Sequence, residues 1–336
     1  MKAWQVVRLG EPADAMEAAE LPVPEPGPGE VLVRVRSAAL NFPDVLMCRG
    51  HYQVRPPLPF TPGVELCGEV VGAGERLREP PEVQSAEGFA EGDRIIGTPK
   101  LPHGALAEYA IVTAADAFPA PEKLADAEAS ALLIAYQTGF VALHRRAHLQ
   151  AGETLLVHAA AGGVGSAAVQ LGKAAGARVI AVVGGARKAQ VAAELGADVV
   201  IDRREQDFVA AVKEATGGRG ADVVFDPVGG DAYAGSAKCV AFEGRILVVG
   251  FAGGTVPAPP LNHALVKNYS IVGVHWGLYR QLDPAVVADA HVRLAELAAA
   301  GVIAPLIGGR IGLDDAVSGL TELAAGETVG RVVVLP

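Results

Sequence analysis

Thr154, Leu155, Leu156, Val157 and His158 form a short run that passes through Ala159, Ala160 and Ala161 into Gly162, Gly163, Val164 and Gly165. A strand entering a glycine turn and then a helix-length segment up to Ala175 suits the binding of a pyrophosphate. Gly162 lets the backbone approach the anion, Gly165 lets helix and strand pack closely, and the helix N-terminus offers N–H groups to the charge. Ala161, Gly162, Gly163 and Val164 are therefore candidate contacts to a dinucleotide. A strict G-x-G-x-x-G is absent, since Ala160 stands at the first glycine, and a tight strand-to-helix turn without ligand is the other reading.

The next strand-like run ends at Val183, where proteins selective for NAD carry a carboxylate for the ribose 2′-hydroxyl. Gly184 and Gly185 leave room there, while Arg187 and Lys188 bring positive charge to the same turn and no acid follows until Glu194. Guanidinium and ammonium groups pair well with phosphate, so the expected cofactor is NADPH. Gly184, Arg187 and Lys188 are the expected contacts, with Arg203 and Arg204, after the third strand, approaching the adenosine end from the side. In the alternative, Arg187 and Lys188 are solvated residues of a helix's first turn.

Metal chemistry has little to build on. Cys48, Cys67 and Cys239 are the only cysteines, and none forms a C-x-x-C pair. His51, His103, His144 and His148 are scattered, so no metal is assigned.

These groups need elements to hold them. At 336 residues the chain is long enough for two domains, and 51% hydrophobic composition marks an ordered chain with a sizeable core. The first third reads as short strands broken by proline and glycine, such as the alternating run from Val31 to Arg36, with a polar surface loop expected over residues 75–92. From about Ala125, alanine-rich helical stretches alternate with β-branched runs at 154–158, 178–183, 199–202, 223–226, 245–250 and 271–274. That alternation predicts an α/β fold with a Rossmann doubly wound parallel sheet buried on both faces. The expected division is a β-rich domain over 1–124, completed by 278–336, and a nucleotide-binding domain over 125–277.

A net charge of -10 without long like-charge runs gives no footprint for nucleic acid or anionic membranes. The start at Met1, Lys2, Ala3 and Trp4 lacks a signal-peptide core, and no apolar stretch is long enough to span a bilayer, so a cytoplasmic protein is expected.

A β-lobe followed by a nucleotide sheet resembles the medium-chain dehydrogenase/reductases over essentially the whole chain. In the zinc alcohol dehydrogenases of that family a Cys-x-x-Asp motif and a Gly-His-Glu motif supply metal ligands. Here the matching stretches are Asn41, Phe42, Pro43, Asp44 and Gly63, Val64, Glu65, so the thiolate and imidazole are replaced. The first stretch, followed by Arg49, Gly50, His51 and Tyr52, is similar to the zinc-free quinone oxidoreductase, or zeta-crystallin-like, branch. So is the block from Gly244 through Gly254, Pro257, Pro260, Leu261 and Asn262 to Gly277.

The resemblance implies a GroES-like catalytic domain and hydride transfer from NADPH to a quinone or related conjugated carbonyl. It implies that Asn41 and Tyr52 face the nicotinamide and acceptor, donating hydrogen bonds to the carbonyl oxygen. It also implies that Thr138, Gly250, Phe251, Ala252 and Asn262 lie at the nicotinamide end, and that the 251–275 region pairs two copies into a homodimer. Apart from the resemblance, Asn41 also reads as a turn-capping amide and Tyr52 as a half-buried packing residue. An enone, alkenal or enoyl-thioester double-bond reductase, and a non-catalytic NADPH-binding protein of crystallin type, are the competing functions.

Overall fold

The computed structural model describes residues 1–74 and 88–336, so most of the loop expected over 75–92 lies outside the described residues. The chain forms two units, one from Met1–Leu133 with Ala304–Pro336 and the other from Ile134–Ile303.

The first unit opens with an antiparallel pair, β1 (Lys2–Val6) and β2 (Met16–Glu20). Its main sheet contains β3 (Glu30–Ala39), β4 (Leu66–Ala73), β5 (Arg94–Pro99) and β6 (Tyr109–Pro119). All neighbours are antiparallel, and β3 pairs with β6 as well as with β4, so the four strands close on one another. The alternation of Val31, Val33 and Val35 explains the closure: these side chains are buried and meet Val70, Ile95 and Val112 in one core, while Arg34 and Arg36 stay exposed. Helix Phe42–Cys48 buries Val45, Met47 and Cys48 in the same core.

The second unit is built on β7 (Thr154–His158), β8 (Arg178–Val183), β9 (Val199–Asp202), β10 (Ala221–Asp226), β11 (Val240–Val248) and β12 (Ser270–Gly273). All pairings are parallel, in the order β12-β11-β10-β7-β8-β9. This is the doubly wound arrangement, in which the order reverses beside the first strand and ligands bind at the carboxyl ends. Val179, Ile180, Ala181 and Val182 are all buried, as a strand covered on both faces requires. Strand β11 begins at Val240 and not near 245, because helix Gly230–Cys239 passes directly into it.

Two further helices, Trp276–Leu282 and Pro284–Ala299, follow β12 within the second unit. Strands β13 (Ile307–Gly312) and β14 (Arg331–Leu335) then join the first unit's sheet, β14 lying antiparallel to β3 through Val333 opposite Ala39 and Val334 opposite Ala38. Among the described residues no helix is long and apolar enough to cross a membrane.

Candidate functional site

In the second unit the expected residues at 161–164, 184 and 250–252 follow the carboxyl ends of β7, β8 and β11. After β7, Ala159 takes a left-handed φ of 49° and its carbonyl accepts the Gly162 N–H at 2.8 Å, which turns the chain into helix Gly163–Ala174. A Cβ at Gly165 would lie 2.1 Å from that carbonyl oxygen, so only glycine fits the turn. The N-cap residue is Gly162, and among the described residues no side-chain cap is made to the N-terminus of this helix, so its first-turn N–H groups are available to an anion. Ala161, beside them, is buried. The cradle suits a pyrophosphate.

Next to it, β8 ends at Val183, and Gly184 and Gly185 follow, the latter at φ 96°. A Cβ built on Gly184 would stand 3.4 Å from the Arg203 guanidinium and 3.5 Å from that of Arg204; on Gly185 it would stand 3.1 Å from Arg204. Two guanidinium groups therefore flank a turn whose own residues, Val183, Gly184 and Gly185, include no acid. Arg187 is exposed and Lys188 half-buried in the first turn of helix Ala186–Glu194.

The remaining expected contacts divide. Gly250, Phe251 and Ala252 follow β11, where the Gly250 N–H meets the Asp226 carbonyl at 3.4 Å and the Ala252 N–H meets that of Pro227 at 3.0 Å. Thr138 is half-buried in helix Leu133–Phe140, beside Gln137, whose Oε1 accepts the Trp276 indole N–H at 2.8 Å. Asn262 is exposed in helix Leu261–Lys267.

In the first unit Asn41 precedes helix Phe42–Cys48 as its N-cap residue. Its own N–H is accepted by Asp44 Oδ2 at 2.9 Å, while Asp44 Oδ1 accepts the Gly63 N–H at 2.9 Å. Burial pushes the Asp44 carboxyl up to about 6 against these two bonds. Asn41 Nδ2 donates to the Ala39 carbonyl at 3.0 Å and to Glu65 Oε2 at 2.9 Å, and Asn41 Oδ1 accepts from Arg331 Nη1 at 2.8 Å. Arg331 Nη2 also donates to Glu65 Oε2 at 2.5 Å. Both amide hydrogens of Asn41 are thus committed inside the protein, so in this arrangement it has none to give an acceptor's carbonyl, while at the helix start it is the Asp44 carboxylate that takes the Asn41 backbone N–H. Tyr52 is half-buried, packed at the edge of the first unit's core.

Glu65 and Arg331 carried no signal as site residues. Glu65 stood only as part of a departed metal motif, and Arg331 lies 290 positions from Asn41.

The zinc donor set does not fit. The thiolate and imidazole positions hold Asn41 and the half-buried Val64, and the positive charge in that corner is the Arg331 guanidinium. Among the described residues no group of three or more His, Cys, Asp and Glu side chains could hold a metal ion. The thiols are no substitute nucleophiles: all three are buried, and burial pushes Cys48 and Cys67 up to about 12.

Comparison with known proteins matches this geometry. Residues 27–122 fit the family described as alcohol dehydrogenase GroES-like domain, and residues 163–290 the family described as zinc-binding dehydrogenase. The chain is 36% identical to quinone oxidoreductase-like protein 2 of Mus musculus over 99% of this chain and 91% of that one. It is 30% identical to the quinone oxidoreductase of Homo sapiens over 82% of this chain and 80% of that one. The structure of Escherichia coli quinone oxidoreductase complexed with NADPH superposes with a TM-score of 0.90 at 29% identity, covering 100% of both chains. The two-unit architecture, the glycine turn at the end of β7 and these matches lead to one conclusion: the chain belongs to the quinone oxidoreductase branch of the medium-chain dehydrogenase/reductase superfamily.

Proposed function

We propose that this oxidoreductase uses NADPH to reduce quinones or related conjugated carbonyls, and that it does so without zinc. The observation that carries the cofactor choice is the pair of guanidinium groups, Arg203 and Arg204, set against the Gly184–Gly185 turn after a strand that ends in valine. A ribose 2′-phosphate finds two charge-assisted donors there, whereas Val183, at the end of β8, offers a bare ribose no carboxylate, and the nearby Asp202 carboxylate is taken up by the Gly185 and Arg204 N–H groups. The glycine cradle at 162–165 and the uncapped helix N-terminus take the pyrophosphate, and Thr138 with Gly250, Phe251, Ala252 and Asn262 serves the nicotinamide end.

The cofactor supplies a hydride from C4 of its reduced nicotinamide. The protein's part is orientation and charge. Tyr52 donates a hydrogen bond to the acceptor oxygen as it gains negative charge, and its hydroxyl or solvent returns a proton. Asn41 holds the segment that leads to Tyr52. No metal is needed to polarise the carbonyl.

The same reading includes a homodimer formed through the outer strand β12. Its free edge is accompanied by Leu261, Leu265, Val266 and Ile271, with Leu265 and Val266 76% and 77% exposed, an apolar surface that suits a second copy. Light scattering on the purified protein checks it; a monomer at micromolar concentration overturns it.

The function is tested by NADPH oxidation against ortho- and para-quinones, enones and crotonyl-CoA, repeated with NADH. Turnover of quinones with preference for NADPH is expected. Turnover confined to crotonyl-CoA or enones assigns the enzyme to double-bond reduction, and NADPH binding without any turnover assigns a non-catalytic role.

A further inference from the structure

The corner around Asn41 places charged side chains where water does not reach: Asp44 and Glu65 are 0% exposed and Arg331 is 5% exposed. A buried ion pair of this kind is a poor device for stability, because desolvation offsets its attraction and well-packed apolar residues do as well. Here the fit is costly besides, since among the described residues Arg331 Nε finds no acceptor at all. What the pair does deliver is orientation. A guanidinium only donates and a carboxylate only accepts, so Arg331 and Glu65 admit one orientation of the Asn41 amide, and a flipped amide would set donor against donor and acceptor against acceptor.

The constraint is passed along the chain. Arg331 is delivered by β14, which is bonded to β3 directly before Asn41, with the Leu40 N–H meeting the Val332 carbonyl at 2.9 Å. Beyond Asn41, helix Phe42–Cys48 is anchored in the core by Val45, Met47 and Cys48. Its exit is fixed too: the Gly50 N–H meets the Met47 carbonyl at 3.1 Å and the His51 N–H meets that of Leu46 at 2.8 Å. Gly50 sits at φ 70° with Leu9 against it, so a Cβ would come within 2.8 Å of Leu9 Cδ1. From residue 41 to residue 51 the backbone is a connected piece, and Tyr52 is the next residue.

We propose that Arg331, paired with Glu65, is a positioning residue for Tyr52: it holds the Asn41 carboxamide, which fixes the start of the helix whose exit turn sets the place of the tyrosine. This rests on the role given to Tyr52 above and extends it to a residue near the other end of the chain.

The test is a double-mutant cycle on quinone turnover with Arg331→Lys, Tyr52→Phe and the two together. Arg331→Lys keeps the charge but loses the planar fork, and is expected to lower kcat about tenfold, since small displacements of a reacting group cost up to a hundredfold. The Kd for NADPH, read by fluorescence titration, stays within about twofold. In the Tyr52→Phe background the same change costs less than about twofold, because a residue acting through Tyr52 has nothing left to position. A full loss in both backgrounds, or no loss in either, overturns the proposal.

Hydrogen exchange read by mass spectrometry provides a measure that needs no turnover. In Arg331→Lys, and in Glu65→Gln should the first variant not fold, peptides covering residues 41–52 exchange faster while those covering 163–183 do not change. Unchanged exchange at 41–52 overturns the positioning role whatever the substrate, whereas accelerated exchange in a protein that reduces no quinone overturns only the assigned function.

Discussion

The carboxylate Oδ1 of Asp202 accepts the N–H of Gly185 at 2.9 Å, and it accepts the N–H of Arg204 at 3.0 Å as well. One side chain at the end of β9 thus ties the turn after β8 to the turn after itself, as the pairing of Val183 with Asp202 across the two strands requires. These backbone N–H groups hold the Asp202 carboxyl below its ordinary value, so it stays ionised and keeps the clasp at neutral pH. By closing the two turns on each other it brings Arg203 and Arg204 onto the glycines.

Removing either guanidinium therefore separates the two cofactors. Arg203→Ala and Arg204→Ala are each expected to raise the KM for NADPH by roughly 10- to 100-fold, the loss of one charged hydrogen bond of about 1.5–3 kcal/mol. The KM for NADH changes little, and Lys188→Ala shifts the same ratio in the same direction. Equal changes for both cofactors in steady-state kinetics would show that no 2′-phosphate is held there.

Tyr52→Phe keeps the ring in the edge of the core and deletes only the hydroxyl. A kcat lowered by about tenfold or less means that the hydroxyl orients the acceptor, and a loss of about a hundredfold or more makes it the proton donor. Unaltered kcat and KM for quinone would remove Tyr52 from the site.

With asparagine and valine at two ligand positions and the Arg331 guanidinium bonded to the asparagine, dialysis against a strong zinc chelator leaves activity unchanged, and metal analysis finds zinc well below one per chain. Stoichiometric zinc whose removal abolishes turnover would reverse the metal assignment.

His158 gives the fold a one-sided response to acid. Buried at the end of β7 with Nε2 2.8 Å from the Ser236 hydroxyl, it is pushed down to about 4 by burial first and then by the charge of Arg203. The unfolded chain protonates this group near 6.5 while the native state does not, so its contribution is complete above pH 6.5 and drains as pH falls toward 4. Between pH 7.5 and 5.0 the loss is about 2 kcal/mol by linkage. Urea denaturation at the two pH values shows it, and His158→Gln should shrink the difference; an equal acid loss in the variant would assign the effect to other groups.

Gly165→Ala tests the cradle. The added methyl would collide with the Ala159 carbonyl, so either the turn or the helix must move. The expected outcome is a stability loss of about 1–3 kcal/mol together with weaker cofactor binding. A variant with unchanged Tm and unchanged NADPH affinity would mean that the strand and helix do not pack as described.

Much of this was legible from the residues alone, wherever the signal is local. The strand-turn-helix at 154–174 and the valine at 183 are short-range patterns, and backbone geometry allows such patterns few structures, while the missing thiolate and imidazole at 41 and 64 were legible only through the family resemblance. The parallel sheet followed from β-branched runs buried on both faces. Tertiary structure decided what depends on distant partners. Arg203 and Arg204 read only as cations approaching from the side until the Asp202 clasp laid them on Gly184, and Asn41 read as a donor or a turn cap until β14 brought Arg331 to its oxygen and Glu65 took up one of its hydrogens. An amide's free hydrogens can be counted only once every neighbour is placed, and no spacing along the chain records a neighbour 290 residues away.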